Sequence, residues 1–247
     1  MNKIVKYLMR QSFQPDMLSM FINPFYFLRR SLFFCIKAKS HYLYGDMLDF
    51  GCGRKPYKNL FKVGKYVGVD IEVSGHSHKN SEVDIFYDGS TIPFPNETFN
   101  SFLCSEVFEH LFNIDVILKE LRRVLKVGGK GLITVPFCWP EHEIPYDNAR
   151  YTSYGIKNLL EKNGFKIISL EKSGHFVECI FQLSALYIYT LYNSKYRVLN
   201  LICTFLFISP INLVGIIVKT ILPKNRDLFH NLVIIVEKND ANIVGSQ

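Results

Sequence analysis

Short apolar runs recur along most of the chain and alternate with segments of helical periodicity. This alternation predicts an α/β fold with a mainly parallel sheet, because crossover helices bury both faces of such strands. The runs with strand character are bounded by glycine, proline or polar residues. The predicted strands are residues 47–50, 66–71, 83–87, 99–104, 130–136, 165–171 and 231–238.

Helical periodicity appears before and between these strands. Residues 4–11 and 24–39 predict two helices; the second has aromatic side chains nearly all round, so it forms either a lid or a membrane contact. Residues 114–125 are amphipathic, and Gly128 and Gly129 follow as an end signal. Two further helices are expected, one with Val107, Phe108 and Leu111 after Ser105 and Glu106, and one from a cap at Thr152 or Ser153 to Lys162.

An apolar insert separates the last two predicted strands. Residues 176–192 and 198–222 are almost free of charge, and basic residues such as Lys195 and Arg197 interrupt them. Pro210 favours a break over one straight span. An even number of crossings, a re-entrant hairpin or a pair of interfacial helices would all return the chain to its sheet, and we prefer the interfacial pair. Extra core or a dimer interface is the alternative.

A glycine turn follows the first predicted strand. Gly51 and Gly53 permit backbone angles and a close ligand approach that a Cβ would prevent. A helix is predicted to begin at Pro56, and the amides of its first turn would favour polar or anionic groups. Asp70 ends the second strand, where a carboxylate can accept hydrogen bonds from both hydroxyls of a ribose. The pattern therefore predicts a nucleotide site, whereas a turn and a helix cap are the structural alternatives.

Residues 137–152, which we call the acceptor loop, follow the fifth predicted strand and are rich in polar and aromatic side chains. Such a loop beside a ligand edge is a natural place for a second substrate. His142 and Asp147 are candidate catalytic residues, as a base and the carboxylate that orients it. The alternative is that Asp147 pairs with Arg150 and His142 caps a turn. For His110, which follows Glu109, we expect a structural role.

The composition of the chain limits its expected binding partners and cellular compartment. The net charge is +7, and basic residues lie beside apolar segments near both ends of the chain, which suits an anionic membrane surface better than a nucleic-acid groove. The cysteines are scattered without metal-ligand spacing, so we expect no metal ligands, no disulfides and a reducing compartment. No secretory signal is evident in the sequence.

The motifs, taken in order, resemble class I S-adenosylmethionine-dependent methyltransferases of the D-x-G-C-G type. The resemblance extends from residue 47 to about 174 and includes the last strand. It departs from the common pattern where Arg54, Lys55 and Pro56 replace a third glycine, and at Asn100. The matching segments are residues 48–53, 67–70, Asp88 with residues 92–94, 106–110 and 121–129.

This resemblance implies S-adenosylmethionine as the cofactor and assigns residues to it. Asp49 would hold the ammonium group, Asp70 the ribose and Asp88 the adenine amino group. Ser105 or Glu106 would lie beyond the sulfonium. The full set of implied cofactor contacts is Asp49, Gly51, Cys52, Gly53, Asp70, Ile71, Asp88, Gly89, Ser105 and Glu106.

The resemblance also implies a Rossmann-like, seven-stranded, mainly parallel sheet with helices on both faces and an antiparallel last strand. The apolar composition adds a helical insert between strands six and seven. We divide the chain into an N-terminal segment (1–45), a cofactor-binding domain (46–175 plus 228–240) and the membrane-associated insert (176–227). The expected activity is O-methylation of a lipid-linked sugar on the cytoplasmic membrane face, by a peripheral or monotopic enzyme. Methylation of a quinone-type lipid and a non-catalytic cofactor-binding scaffold are alternatives, a homodimer is a further option, and nucleic acid is not an expected partner.

Overall fold

The computed structural model of the protein describes residues 3–72 and 81–239. The chain divides into two compact units. The sheet unit comprises Ile36–Glu171 and Leu232–Gln247, and the helical unit comprises Met1–Cys35 and Lys172–Asn231. The N-terminal segment and the insert, which the sequence separated, thus contribute to one unit. The last residue of the predicted range 228–240 lies outside the described residues.

One seven-stranded sheet organises the fold, with the strand order β3-β2-β1-β4-β5-β7-β6. Leu48 on β1 pairs in parallel with Val67 on β2 and with Phe102 on β4. The side chain of Leu48 is fully buried, as expected for a central strand covered on both faces. The strands are β1 (Asp46–Phe50), β2 (Lys65–Ile71), β3 (Ile85–Tyr87), β4 (Phe99–Ser105), β5 (Leu125–Pro136), β6 (Phe165–Ser173) and β7 (Asn231–Lys238).

The last strand runs antiparallel to β6. The N–H of His230 donates to the carbonyl of Ser173, and the N–H of Asn239 donates to the carbonyl of Gly164, so the start of β7 meets the end of β6. The predicted fold class, a mainly parallel seven-stranded sheet with an antiparallel last strand, is therefore confirmed.

Six helices longer than one turn accompany the strands in the described part of the chain. In α4 the Thr152 hydroxyl accepts a hydrogen bond from the N–H of Gly155 at 3.1 Å, as an N-cap does, and Gly164 follows the helix with a φ of +81°. Both ends of this helix agree with the sequence prediction. The helices are α1 (Lys3–Gln11), α2 (Tyr26–Lys39), α3 (Ile114–Val124), α4 (Ser153–Lys162), α5 (Phe176–Tyr192) and α6 (Arg197–Ile221).

Three local predictions in the sheet unit were wrong. Instead of the helix predicted from Pro56, the chain has a short 3-10 turn, Lys58–Leu60. The segment after Ser105 is a short 3-10 turn, Phe108–His110, because Glu106 has a φ of +57° and cannot open an α-helix. Gly128 and Gly129 lie inside β5, which begins directly after α3. There the pairing with β4 jumps from Leu125 to Lys130, and Gly128 has a φ of +69°, so these glycines form a bulge.

The predicted break at Pro210 was also wrong. Helix α6 is continuous over 25 residues, with a π-helical segment at Thr204–Ile208. In this wider segment the N–H of Ser209 bonds to the carbonyl of Thr204. Pro210 then enters the next α-helical stretch at its first turn, where a missing N–H costs little.

Polar side chains lie inside the helical unit. Gln182 of α5 accepts a hydrogen bond from the N–H of Leu28 at 3.1 Å and donates to the carbonyl of Pro24 at 2.9 Å. Asn212 of α6 is fully buried and donates to the carbonyl of Met20 at 2.8 Å. These contacts fix α5 to α2 and to the segment before it, and α6 to that segment.

Candidate functional site

The carboxyl ends of β1 to β5 meet at one edge of the sheet, because those strands are parallel neighbours. Ligands of open α/β sheets bind at this edge. Every cofactor residue implied by the resemblance lies at the end of one of these strands or in the turn that follows it. The acceptor loop follows β5, so it starts from the same edge.

The turn after β1 depends on two glycines. The N–H groups of Gly51 and Cys52 donate to the carbonyl of Val69 at 2.8 and 3.1 Å, which ties the turn to β2. Gly51 has a φ of +71° and Gly53 a φ of +48°, in the left-handed region that favours glycine. The Cys52 side chain is buried, and burial raises the pKa of its thiol, which keeps it uncharged. Only the backbone of Cys52 is therefore suited to a ligand.

These two glycines give a matched pair for a stability test. A Cβ on Gly51 would lie 2.3 Å from Cγ2 of Val107, whereas a Cβ on Gly53 would meet nothing within 4 Å. We expect Gly51→Ala to lower the free energy of unfolding by about 3 kcal/mol, from overpacking added to the left-handed φ. Gly53→Ala should cost about 1 kcal/mol, from the φ alone. Urea denaturation without cofactor measures both, and equal losses would contradict this account of Gly51.

Asp70 completes the turn. Its Oδ2 accepts a hydrogen bond from the N–H of Gly53 at 2.8 Å, and its Oδ1 accepts one from the N–H of Ile71 at 2.8 Å. Its side chain is only 4% exposed. A carboxylate fixed in this way at the tip of β2 can accept further hydrogen bonds from a ligand without first losing conformational freedom.

Asp49 is the other buried carboxyl of the turn. It lies within β1, 3% exposed, and its Oδ2 accepts a hydrogen bond from the hydroxyl of Tyr66 at 2.5 Å. Burial raises the pKa of the Asp49 carboxyl to about 7, against the effect of the Tyr66 hydrogen bond. A cationic ligand group would therefore stabilise a charge that the fold alone disfavours.

The raised pKa of Asp49 predicts a pH dependence of stability. Between about pH 4 and 7 the native state retains a proton that the unfolded state has lost, so the free energy of unfolding should fall as the pH rises. Because one pKa unit corresponds to about 1.4 kcal/mol, the decline is about 4 kcal/mol at most. Asp49→Asn should remove it, whereas Asp46→Asn, at the other end of β1, should retain it. Denaturation at pH 4.5 and 8 tests this, and parallel pH profiles for wild type and Asp49→Asn would refute it.

Lys55 explains the departure from the common glycine pattern. It takes the left-handed conformation itself, with a φ of +48°, and its ammonium group lies 2.6 Å from Oδ2 of Asp84. The same oxygen accepts a hydrogen bond from the N–H of Gly68 at 2.6 Å. A Cβ on Gly68 would lie 2.3 Å from Cε of Lys55, so glycine leaves the room that this lysine needs. The substituted turn is therefore held by its own ion pair, in which the lysine is buried and the aspartate is exposed.

Asp88 has a different environment from Asp70. It is exposed, and its Oδ1 accepts hydrogen bonds from the N–H of Ser90, the hydroxyl of Ser90 and the N–H of Thr91 at 2.8 to 2.9 Å. The backbone hydrogen bond from Thr91, followed by that from Ser90, lowers the pKa of this carboxyl. Gly89 follows with a φ of +86°. Asp88 thus stabilises the turn after β3 in addition to any contact with a ligand.

Ser105 and Glu106 are connected through Thr134 on β5. The Ser105 and Thr134 hydroxyls lie 2.9 Å apart, and the Thr134 hydroxyl donates to Oε1 of Glu106 at 2.7 Å. The N–H of Glu106 donates to the carbonyl of Thr134 at 3.0 Å. Because these contacts fix Glu106 in its left-handed conformation, the chain turns sharply at the end of β4.

The acceptor loop brings His142 and Asp147 together. Nδ1 of His142 lies 3.1 Å from Oδ2 of Asp147, and the N–H of His142 donates to the same oxygen at 2.9 Å. Arg150 also donates to both oxygens of Asp147, at 2.5 and 2.7 Å. The sequence left open whether Asp147 contacts His142 or pairs with Arg150. In the structure Asp147 makes both contacts.

Charge and burial have opposite effects on this pair. The hydrogen bonds from Arg150 lower the pKa of the Asp147 carboxyl to about 2, so it stays ionised. Burial lowers the pKa of His142, so its ring stays neutral. An ionised Asp147 that accepts from Nδ1 leaves Nε2 as the basic nitrogen of this histidine. A nitrogen atom of Arg150 lies 3.4 Å from the same Nδ1, a longer contact than that to Asp147.

The turn Phe108–His110 adds two residues that the sequence did not place in a site. The backbone carbonyl of Glu109 accepts hydrogen bonds from the N–H groups of Asn148 and Ala149, at 2.7 and 3.1 Å. The ring of His110 lies 5.0 Å from that of His142, between centroids. The side chain of Glu109 is fully buried, and burial, followed by the charge of Glu106, raises the pKa of its carboxyl. No periodic pattern could reveal this group, because its members are distant in sequence.

Comparison with known proteins gives a family match for the middle of the chain. Residues 48–133 match the model of a family described as a methyltransferase domain. Two uncharacterized proteins of Methanocaldococcus jannaschii are each 33% identical, one over 142 residues (56% of this chain and 62% of the relative), the other over 99 residues (39% and 47%). The chain thus spans less than two thirds of either relative.

Solved structures share the fold at low sequence identity. A methyltransferase dependent on S-adenosylmethionine from Mesorhizobium loti has a TM-score of 0.52 and 12% identity, with 84% of this chain and 98% of that chain covered. One from Archaeoglobus fulgidus has a TM-score of 0.51 and 18% identity, with coverage of 86% and 96%. The [4+2]-cyclase SpnF also has a TM-score of 0.51, with 14% identity and coverage of 85% and 81%.

Residues 48–133 thus match a methyltransferase domain, and the solved structures show that the chain shares the fold of proteins that depend on S-adenosylmethionine. The matched segment includes the glycine turn, Asp70, Asp88 and the Glu109–His110 turn, but it ends before the acceptor loop. The similarity to a cyclase shows that this fold is not confined to one reaction. The reaction and its acceptor therefore depend on the residues of this chain and not on the fold alone.

Proposed function

We propose that this protein transfers the methyl group of S-adenosylmethionine to a hydroxyl group of a lipid-borne acceptor at the cytoplasmic face of the membrane, with a lipid-linked sugar as the preferred acceptor. The match of residues 48–133 to a methyltransferase domain supports the donor half of the proposal. The buried carboxylate of Asp70, fixed by the N–H of Gly53, supplies the ribose contact. Asp49 supplies the anion for the ammonium group.

The reaction requires few groups from the protein. The acceptor oxygen attacks the methyl carbon opposite the C–S bond, the new O–C bond forms, and the electron pair of the C–S bond remains on sulfur, which leaves S-adenosylhomocysteine. In-line positioning supplies most of the rate. The hydroxyl proton must also leave, and Nε2 of His142 is proposed to accept it, with Asp147 holding the ring.

The proposed membrane location rests on one observation. The helices of the insert bury polar side chains and expose apolar ones. In α5 and α6 the amides of Gln182 and Asn212 point inward, whereas large apolar side chains face outward. A protein that is surrounded by water normally shows the opposite arrangement. The outward residues with at least 45% exposure in α6 are Val198, Leu199, Ile202, Phe205, Leu206, Phe207, Leu213, Val214, Ile217 and Ile221.

Length and charge agree with a lipid surface. Among the described residues, α6 is the helix that is long and apolar enough to cross a membrane, and 28% of its most apolar window is buried. Lys195 and Arg197 lie at its start, and Lys224 and Arg226 follow its end. Basic residues beside an apolar helix favour anionic headgroups. A membrane-bound helix of this kind would hold the enzyme where a lipid acceptor resides.

The acceptor loop favours a sugar over a wholly apolar head group. Glu141 and Tyr146 are exposed on it, and Trp139 is half-buried. Carboxylate and aromatic side chains together suit a polyhydroxylated ring, which has polar edges and apolar faces. A quinone ring would need fewer polar contacts.

A transfer assay tests the proposal. The protein is incubated with a polar-lipid extract and S-adenosylmethionine that carries a labelled methyl group. The lipids are then separated, and their masses are measured by mass spectrometry. We expect label in a lipid that gains the mass of one CH₂ group, and loss of this product with Asp70→Ala. Glu161→Ala, which removes an exposed carboxylate on α4, should leave it unchanged. Label in RNA, DNA or a water-soluble product instead of lipid would overturn the acceptor assignment.

A further inference from the structure

We infer that Glu109, His110 and His142 form a binding site for one divalent transition-metal ion. One ligand atom from each residue lies within 4.8 Å of the others. Oε1 of Glu109 is 3.8 Å from Nε2 of His110. Around a metal with bond lengths near 2.1 Å, ligand atoms lie about 3.4 Å apart, so small side-chain rotations would close the site.

The buried carboxylate of Glu109 gives independent support. Its side chain has no exposed area, and neither oxygen has a hydrogen-bond partner among the described residues. An unpaired carboxyl group in such a place is costly whether it is ionised or neutral, because both forms lose their hydrogen bonds to water. A bound cation would satisfy both the charge and the lone pairs.

Both histidines are oriented as metal ligands usually are. Nδ1 of His110 lies 3.0 Å from the carbonyl oxygen of Tyr146, which can only accept a hydrogen bond, so this nitrogen carries the proton. Nδ1 of His142 lies 3.1 Å from the carboxylate of Asp147. Each contact leaves Nε2 with its lone pair available to a metal. A carbonyl and a carboxylate behind the two rings form the outer shell that fixes ligating histidines.

The charges around the cluster favour a cation. Oε2 of Glu143 lies 3.7 Å from Nε2 of His110, within reach of a fourth position. Arg150 lies 3.4 Å from Nδ1 of His142, but both oxygens of Asp147 pair with it. Glu109 and Glu143 thus bring two carboxyl groups to the cluster.

The ligand set indicates the class of metal. Two imidazoles and one carboxylate suit Zn²⁺, Mn²⁺, Fe²⁺ or Co²⁺, whereas Mg²⁺ and Ca²⁺ prefer oxygen ligands alone. The ligands come from the turn after β4 and from the acceptor loop, which the hydrogen bonds of Asn148 and Ala149 to Glu109 already hold together. Three protein ligands would leave positions open for a water molecule or a substrate oxygen.

One consequence rests on the proposed function. An acceptor hydroxyl bound at an open position would lose its proton to solvent water more readily, because a metal ion lowers the pKa of an oxygen that it binds. His142 would then be a ligand, and the metal would replace it as the group that activates the hydroxyl. The residues Glu109, His110 and His142 would thus select an acceptor that can present an oxygen atom to a cation.

The test uses tag-free full-length protein, stripped with a chelator and titrated with Co²⁺. We expect one equivalent to bind with visible d–d absorption, and Zn²⁺ to displace it. Glu109→Gln should weaken Co²⁺ binding at least 100-fold, and Asp147→Asn by 10- to 100-fold, as outer-shell changes do. Glu161→Gln, which replaces an exposed carboxylate on α4, should bind Co²⁺ like the wild type.

Calorimetry with S-adenosylmethionine on the same samples separates the two proposals. Cofactor binding without Co²⁺ or Mn²⁺ binding would overturn the metal site and leave the methyltransferase proposal intact, and the reverse result would overturn the methyltransferase proposal alone. If Glu109→Gln does not fold, His142→Gln supplies the test, because His142 lies in the partly exposed acceptor loop. Wild-type affinity for Co²⁺ in a folded variant of either residue would refute the assignment.

Discussion

Replacing Asp70 with alanine is expected to weaken S-adenosylmethionine binding by at least about 100-fold, since two hydrogen bonds to a charged acceptor are worth about 3 kcal/mol or more together. The loss has two physical sources. Removal of the carboxylate leaves the ribose hydroxyls without acceptors, and it frees the N–H of Gly53, which Asp70 holds at 2.8 Å. Isothermal titration calorimetry on the wild type and the variant measures the change.

A second carboxylate controls for charge. Asp88→Ala removes an exposed carboxyl that is occupied by its own turn, so its contact with the adenine amino group is worth about 1 kcal/mol, or roughly 5-fold to 10-fold in affinity. Glu161→Ala should have no effect on binding. Unchanged affinity for Asp70→Ala in a folded protein would contradict the cofactor site. Equal losses for Asp70→Ala and Asp88→Ala would contradict the ranking that burial implies.

The strands of the sheet could be predicted from the sequence because strand signals are local. Residues 231–238 were predicted as the last strand and form β7 with those bounds. Likewise Thr152 and Gly164 mark the two ends of α4 in the sequence and in the structure. Apolar runs and capping residues act within a few positions, so a pattern read along the chain can identify them.

The errors occurred where a distant contact determines the backbone. Glu106 adopts its left-handed conformation because Thr134, on another strand, binds both its N–H and its carboxylate. Gly128 and Gly129 end a helix by the usual signals, but pairing with β4 continues through them as a bulge. Pro210 suggests a break only if the preceding turn is α-helical, and a π-helical segment precedes it. Neither Thr134 nor the pairing with β4 can be recognised from a short stretch of sequence around the residues that they affect.

The candidate site divides in the same way. Asp49, Gly51, Gly53 and Asp70 lie in motifs that a reader of the sequence can recognise, and the structure places them around one turn. Glu109 resembles any polar residue at a helix start. In the described structure, Glu109 is buried without a side-chain hydrogen bond, and it lies close to His142. Both features arise only when the acceptor loop folds back onto the turn. Chemistry that depends on a buried, unpaired group therefore requires the three-dimensional structure.

The second large effect is expected at the lipid surface. Leu206, Leu213 and Ile217 belong to the outward apolar face of α6, and each is at least 46% exposed. Placing two aspartates on this face should cost about 3 kcal/mol each if the residues enter the hydrocarbon. We expect Leu206→Asp/Leu213→Asp to abolish flotation with vesicles of mixed phosphatidylcholine and phosphatidylglycerol, whereas the wild type floats.

A matched pair in the sheet unit distinguishes a lipid contact from general solubility. Val127 and Tyr154 are 52% and 81% exposed, so Val127→Asp/Tyr154→Asp adds the same charge to apolar surface outside α6. This variant should float like the wild type. Both variants should bind S-adenosylmethionine normally, because Gly51, Gly53 and Asp70 belong to the sheet unit. Flotation that both double variants lose equally, or a wild-type protein that remains with the soluble fraction, would remove the membrane from the proposal, and the acceptor would then have to be a soluble hydroxyl compound.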